Sequence, residues 1–127
     1  MIKMSLLENW LEMKSKIINQ IQQRGLKAAA EIARSPQNIM TQPGPSAPGD
    51  VPGVRSGAYR SSYEPRSENT AMGVRAIAES NLSVGKWNLG ALLEGGTRKM
   101  AARPHAEKIL QDALPKVISI FSEPYDV

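Results

Sequence analysis

Residues 4–34 read MSLLENWLEMKSKIINQIQQRGLKAAAEIAR and form the most regular stretch of this sequence. Apolar side chains recur there at spacings of three, four and seven residues, which places them on one face of a helix. This stripe consists of Leu7, Trp10, Leu11, Ile17, Ile18, Ile21, Ala28, Ala29 and Ile32. The pattern predicts one long amphipathic helix over residues 4–34.

The predicted helix has one weak point and a defined end. Gly25 costs a helix interior about 1 kcal/mol relative to alanine, so we expect a bend there. Ser35-Pro36 predicts the end, because proline disfavours the helical conformation in the residue before it. At 1.5 Å per residue the helix is about 45 Å long, which is long for a domain of this size. We therefore expect part of its apolar stripe to pack against another subunit.

Residues 35–57 break the helical periodicity. Between Gln42 and Gly53 the chain holds four prolines and three glycines, which excludes helix and central strand. One interpretation is a flexible linker. The other is an extended arm that becomes ordered on a neighbour, because loops of this length are uncommon unless they are functional or disordered.

Residues 58–127 have the shorter elements of a mixed core. Residues 70–78 alternate weakly between apolar and polar, and we expect them to pair with residues 82–85 across a turn at Ser80-Asn81. Residues 59–63 are a further candidate strand before Pro65. Residues 87–94 predict a short helix that ends at Gly95-Gly96.

The last predicted helix begins at Pro104, a residue favoured in the first turn, and we expect a kink at Pro115. Helix, loop, short strands and helix follow one another in the 127 residues. This order predicts a single α+β domain with a long N-terminal helix, an extended Pro/Gly-rich loop, a small antiparallel β-sheet and a C-terminal helix.

The composition argues against catalysis. The chain has one histidine, His105, and no cysteine, which excludes disulfides, thiolate chemistry and the common zinc sites. Neither a serine nucleophile elbow nor a phosphate-binding loop occurs, and the acidic residues are scattered. We expect no enzymatic activity, no cofactor and no metal, and we place His105 on the surface or at an interface.

No part of the sequence predicts a membrane segment. Its apolar runs are far shorter than the roughly 18 residues that cross a bilayer, and the N-terminus lacks the features of a signal peptide.

The charge permits contact with nucleic acid. The formal net charge is +4, and basic residues cluster in two places. Arg55 and Arg60 flank Gly57, while Arg98 and Lys99 precede Arg103. No helix-turn-helix, zinc finger or aromatic stacking platform accompanies them, so we expect at most nonspecific phosphate contact, from Arg55, Arg98 and Lys99.

Two segments carry a resemblance to a known family. Residues 48–62 read PGDVPGVRSGAYRSS, and residues 91–105 read ALLEGGTRKMAARPH. Together they resemble the small neck proteins of long-tailed phages, also called tail-completion or head–tail joining proteins. That family shows a Pro-Gly-x-x-Pro-Gly-x-x-Thr/Ser-Gly-x-Leu-Arg-x-Ser loop and a Leu-Glu-x-Gly-Thr-x-x-Met-x-Ala-Arg-Pro-Phe stretch. The resemblance covers roughly residues 43–122.

The chain departs from the family pattern at three positions. Tyr59 stands in place of the usual leucine, Gly95 in place of an aromatic residue, and His105 in place of phenylalanine. The last two changes remove aromatic packing at the turn before the final helix.

The resemblance singles out nine motif residues, namely Pro52, Gly53, Gly57, Arg60, Glu94, Gly96, Thr97, Arg103 and Pro104. We expect Gly96-Thr97 to end one helix and Arg103-Pro104 to start the next. Arg103 is expected either to bind carbonyls at the end of the preceding helix or to pair with Glu94. The turn then either defines the fold or contacts a neighbouring subunit or DNA.

The resemblance implies a structural virion protein, made in the host cytoplasm and located in the neck. There it would form part of an oligomeric ring that joins the DNA-filled capsid to the tail. Its partners would be portal, adaptor or head-closure proteins on one side and tail terminator or tail tube proteins on the other. We expect the arm at residues 36–56 and the long helix to carry subunit contacts. The alternatives are a tail terminator or head-closure protein of the same machine, or a small basic nucleic-acid-binding protein.

Overall fold

The fold is α+β, as predicted. The computed structural model describes residues 2–44, 46–54, 57–71 and 73–126, and side chains from residue 7 onward within those ranges. The elements in chain order are α1 (Ile2–Ile39), β1 (Tyr63–Thr70), β2 (Gly73–Ser80), β3 (Ser83–Val84), β4 (Trp87–Asn88), α2 (Leu89–Gly95) and α3 (Ala106–Ser122).

Helix α1 is longer than predicted at both ends, and it passes through Pro36 instead of ending before it. Ser35 and Pro36 are fully buried, and the Ser35 hydroxyl lies 2.7 Å from Asp112 Oδ2 on α3. The Met40 amide donates to the Pro36 carbonyl at 2.9 Å, which continues the helical pattern beyond the proline. Packing against α3 therefore outweighs the local preference of a residue before proline.

Strands β1 and β2 form an antiparallel hairpin whose register runs from Tyr63 opposite Ser80 to Thr70 opposite Gly73. The predicted pairing of residues 70–78 with residues 82–85 is therefore wrong. The partner strand is strongly polar and contains Pro65, so it lacks the usual strand signal. A two-stranded ribbon tolerates proline, because every second amide of each strand points away from the partner.

Opposite charges across the hairpin compensate for this polar composition. Arg66 Nε lies 3.0 Å from Glu79 Oε1, and Arg75 lies 3.7 Å from Glu68, its direct cross-strand neighbour. Opposite charges that face each other across two strands favour the pairing, and they do so weakly where both side chains are exposed to solvent.

The segment before α2 forms a second small hairpin, in which β3 pairs with β4. The helix predicted over residues 87–94 therefore begins two residues later, at Leu89. Asn88 is its N-cap and accepts a hydrogen bond from the Ala91 amide at 3.0 Å. The predicted end at Gly95-Gly96 is confirmed, because the helix ends at Gly95 and Gly96 adopts a φ of 75°.

The core lies where α1 crosses the β1–β2 hairpin and α3. Ala28 and Ala29 have no exposed surface, and Ile109 and Ala113 bury the facing side of α3. A Cβ atom on Gly25 would lie 2.6 Å from a methyl group of Val74 on β2. Gly25, which the sequence marked as a weak point, thus leaves room for a side chain of β2 to pack directly against the helix.

Helix α3 begins at Ala106, two residues later than predicted, and continues through Pro115 to Ser122. Arg24 of α1, 8% exposed, holds its C-terminal end. The guanidinium donates to the carbonyls of Glu123 at 2.5 Å and Pro124 at 2.9 Å, and lies 4.1 Å from the Tyr125 ring centroid. These bonds satisfy carbonyls just beyond the helix end.

The Pro/Gly-rich loop after α1 doubles back on itself. The Gly44 amide donates to the Val54 carbonyl at 2.9 Å, and the Val54 amide donates to the Gln42 carbonyl at 2.7 Å. A Cβ atom on Gly53 would lie 1.8 Å from the Gly44 carbonyl oxygen, so this crossing needs glycine. Residues 35–39 of the predicted arm belong to α1, and the described part of the rest folds against its own chain.

Candidate functional site

A cavity of about 600 Å³ lies between the Pro/Gly-rich loop, the β3–β4 hairpin and α2. Its walls are mainly apolar and include Met40, Val54, Leu82, Leu89, Leu93 and Met100. Five predicted motif residues from the two segments also line it, namely Pro52, Gly53, Gly57, Arg60 and Arg103. The structure therefore brings the two motif segments, about forty residues apart, to one place.

Arg103 joins the turn before α3 to the loop. Its Nε donates to Ser46 Oγ at 3.0 Å and its Nη2 to the Ser46 carbonyl at 2.8 Å, while Nη1 donates to the Ala101 carbonyl at 2.7 Å. The expected bond to the preceding helix comes from the Arg103 backbone, whose amide donates to the Leu93 carbonyl at 2.6 Å. The alternative pairing with Glu94 is not the one the structure has.

Glu94 instead caps the N-terminus of α3. Its Oε2 accepts hydrogen bonds from the His105 amide at 2.6 Å and the Ala106 amide at 3.2 Å. The first amides of a helix have no partner within the helix, and the helix dipole favours a negative charge beside them. Glu94 thus joins the last turn of α2 to the first turn of α3.

His105 is 3% exposed, so the predicted surface or interface position is wrong. Its Nδ1 lies 2.7 Å from the Arg103 carbonyl and 2.9 Å from Glu94 Oε2. Both of these partners are acceptors, so Nδ1 carries a proton, and in the neutral ring Nε2 accepts a hydrogen bond from the Tyr59 hydroxyl at 2.6 Å. The Tyr59 hydroxyl also lies 2.7 Å from that of Tyr63.

Glu94, His105, Tyr59 and Tyr63 form a continuous chain of hydrogen-bonded side chains around the buried His105. Two of its members are positions at which the chain departs from the family pattern. Tyr59 and His105 meet edge to face, with ring centroids 5.6 Å apart, so a hydrogen-bonded aromatic pair stands where the pattern has leucine and phenylalanine. No sequence signal indicated this contact. The third departure, Gly95, faces open space.

The order carboxylate, imidazole, hydroxyl is that of a nucleophilic triad, but the chemistry differs. Burial, followed by the hydrogen bond with Tyr63, raises the pKa of Tyr59 far above its ordinary value. Burial likewise raises the pKa of Tyr63. Both hydroxyls therefore keep their protons at neutral pH, and the ring nitrogen that would act as base is already engaged. The arrangement suits a structural tie between elements.

The remaining predicted residues divide between cavity, turn and surface. The Arg60 guanidinium donates to the Met40 carbonyl at 3.2 Å and so ties the loop to the end of α1. Pro52 is buried and Pro104 exposed. The Thr97 amide donates to the Met100 carbonyl at 2.8 Å, which closes a tight turn after Gly96.

The exposed part of that turn carries Arg98 and Lys99. Both were predicted to face DNA, and both are open to solvent in this chain. Arg55, the third residue of that prediction, lies outside the described residues.

Comparisons with known proteins found no counterpart: no family model, no curated protein and no solved structure matches the chain. Within the described ranges, no group of three or more histidine, aspartate or glutamate residues is placed to hold a metal ion. Among the same residues, no helix is both long enough and apolar enough to cross a bilayer.

Proposed function

We propose that this chain is a structural subunit of the neck of a tailed phage, where a ring of its copies joins the DNA-filled head to the tail. One observation carries the proposal. The described parts of the two segments that resemble the neck-protein family, residues 48–62 and 91–105, line a common cavity and are hydrogen-bonded to each other. The Gly49 amide donates to the Ala102 carbonyl at 3.1 Å, and Tyr59 bonds His105.

The surface supports the role of a subunit. Large apolar side chains are about half exposed on the N-terminal half of α1, at the β3–β4 hairpin and along the outer face of α3. The α3 face alone presents Leu110, Leu114, Ile118 and Phe121. A continuous apolar stripe along an exposed helix face is typical of a surface that another chain covers. Different patches on one subunit are what a closed ring with head-to-tail contacts needs.

Contact with DNA in the channel is part of the proposal. Arg98 and Lys99 are exposed at the tip of the turn after α2, where they are able to meet phosphates without reading sequence. A role as a free nucleic-acid-binding protein predicts tight, salt-dependent DNA binding by the isolated chain. Filter binding at rising salt separates the two roles.

The neck role is tested by electron micrographs of a phage lysate in which the gene for this chain has been interrupted. The proposal predicts DNA-filled heads and finished tails of normal length that lie separate. Heads that have lost their DNA would favour head closure, and tails of uncontrolled length would favour a tail terminator. Normal joined particles would refute all three roles.

A further inference from the structure

The N-terminal part of α1 presents exposed apolar side chains beside acidic residues, and the cavity is mainly apolar with two arginines in its lining. We propose that residues 7–13 of one copy of this chain insert into the cavity of a second copy. This inference rests on the proposed ring, and it names the surfaces that join neighbouring subunits.

The inserting surface is a short apolar stripe on α1. Leu7, Trp10 and Leu11 are 57%, 55% and 50% exposed. Their spacing of three and four residues places them together on one face of the helix. A helix that places such a face into an apolar groove is a common mode of recognition between chains.

The receiving surface is the cavity of about 600 Å³ beside Met40. Its volume falls within the range of sites that enclose a drug-sized ligand, so it accommodates large side chains from one helical turn. Val84 at its edge is 54% exposed, which leaves apolar surface open to a partner.

The charges of the two surfaces are opposite. Segment 7–13 contains Glu8 and Glu12 and no basic residue, and the two carboxylates lie one turn apart beside the apolar stripe. Lys14 follows the segment and lies 5.2 Å from the centroid of the Trp10 ring. Among the described residues, Arg60 and Arg103 line the cavity and no acidic residue does. Both guanidiniums donate to carbonyl or hydroxyl oxygens, and neither has a described carboxylate within 4.0 Å, so the positive charge beside the cavity is not neutralised.

Helix geometry excludes insertion within one chain, so the proposed contact joins two chains. Helix α1 is continuous from Ile2 to Ile39, and the cavity begins at Met40. Trp10 precedes Met40 by thirty residues, which in a helix is about 45 Å. The two surfaces thus lie at opposite ends of one rod, and contact between them is head-to-tail, the type that closes into rings.

Two exposed apolar residues of α1 provide the first test. Trp10 and Leu26 are 55% and 50% exposed, and only Trp10 belongs to the proposed contact. Leu26 lies about 24 Å further along the helix. In sedimentation velocity of the full chain, Trp10→Ala should weaken self-association about 30-fold or more, as expected for an interface hot spot, and Leu26→Ala should change it little.

A second measurement follows Trp10 itself. In the Trp87→Phe variant Trp10 is the only tryptophan, and its emission should shift to shorter wavelength as the chain assembles. The chain has no cysteine, so single cysteines report on chosen pairs. A mixture of a Met13→Cys chain and a Val84→Cys chain should form a mixed disulfide on oxidation. A Leu26→Cys chain, altered about 20 Å further along α1, should not.

Equal association of Trp10→Ala and Leu26→Ala, unchanged Trp10 emission on assembly, or no excess of the Met13–Val84 cross-link would overturn the inference. A chain that stays monomeric, or in which Trp10 becomes buried only when a different neck protein is added, would also overturn it. Rings that form equally well with Trp10→Ala leave the proposed neck role intact. If Trp10 is shown to form the contact but joined phage particles form without this chain, the neck role is wrong and the contact between copies stands.

Discussion

The hydrogen bond between Tyr59 and His105 should be visible as a coupling energy in a double-mutant cycle. Tyr59→Phe removes only the hydroxyl, and His105→Phe replaces the imidazole with the aromatic ring that the family pattern has. The double variant places two apolar rings at the edge-to-face contact of 5.6 Å. Four proteins, including the unsubstituted chain, complete the cycle.

The magnitude follows from what each variant leaves unpaired. Tyr59→Phe leaves Nε2 of His105, a residue that is 3% exposed, without its hydrogen-bond donor. We expect this to lower the free energy of unfolding by about 1–3 kcal/mol. His105→Phe should lower the free energy of unfolding by less. The Tyr59 hydroxyl still has its hydrogen-bond partner Tyr63 at 2.7 Å, and Glu94 still accepts hydrogen bonds from the amides of residues 105 and 106. In the double variant no ring nitrogen is stranded. We expect a coupling energy of about 1–2 kcal/mol.

Urea unfolding followed by circular dichroism measures all four free energies of unfolding. The slopes against urea should agree, so that the midpoints compare stability alone. Tyr125→Phe, which alters a 38% exposed tyrosine, is the control and should stay within about 0.5 kcal/mol of the unsubstituted chain. If the double variant loses the sum of the two single losses, the hydrogen bond does not tie the turn together.

Other predictions concern the cap, the loop, the α3 end and the phenols. Glu94→Gln should lose about 1–2 kcal/mol of unfolding free energy, because a neutral amide caps α3 more weakly; unchanged thermal unfolding would contradict this. Gly53→Ala should lower the free energy of unfolding by several kcal/mol, since the added Cβ would lie 1.8 Å from the Gly44 carbonyl oxygen. Gly49→Ala, at a residue with φ of +85° and open space around it, should lower it by about 1 kcal/mol. Equal losses in urea unfolding would contradict the close approach of Gly53 to Gly44. Arg24→Met should lower the free energy of unfolding by about 1–3 kcal/mol and speed hydrogen exchange of the amides near the C-terminus. Amide protection equal to that of the unsubstituted chain would show that Arg24 does not hold the end of α3. Above pH 10 the unfolded chain releases the Tyr59 proton while the folded chain retains it, so stability should fall with rising pH, and less steeply in Tyr59→Phe; a flat profile would refute this.

The sequence predicts those elements whose apolar pattern has a clear period. The stripe from Leu7 to Ile32 indicates α1, and Gly95-Gly96 marks the end of α2. The end of α1 was missed because Ser35 and Pro36 are held by buried contacts with α3, a segment about seventy residues away. The hairpin was mispaired because the true partner of β2 is a polar strand that contains Pro65 and depends on ion pairs such as Arg66 with Glu79.

The candidate site divides in the same way. The family resemblance singles out Gly53, Gly96 and Arg103, and the structure gives each a local role: a close crossing at Gly53, a positive φ at Gly96 and hydrogen bonds from Arg103 to Ser46. The pairing of Tyr59 with His105 is not singled out in this way, since it joins positions 46 residues apart that each look like an isolated exception. Contacts between distant polar side chains leave no periodic signal in a single sequence.

Complementation of incomplete particles tests the neck role most directly. Purified chain is added to a lysate that was made without it and contains separate heads and tails, and infectious particles are counted before and after. The account predicts that the unsubstituted chain and Leu26→Ala restore joined, infectious particles, and that Trp10→Ala restores far fewer. If the unsubstituted chain, shown to be folded, leaves heads and tails unjoined, it does not serve as the connector between them.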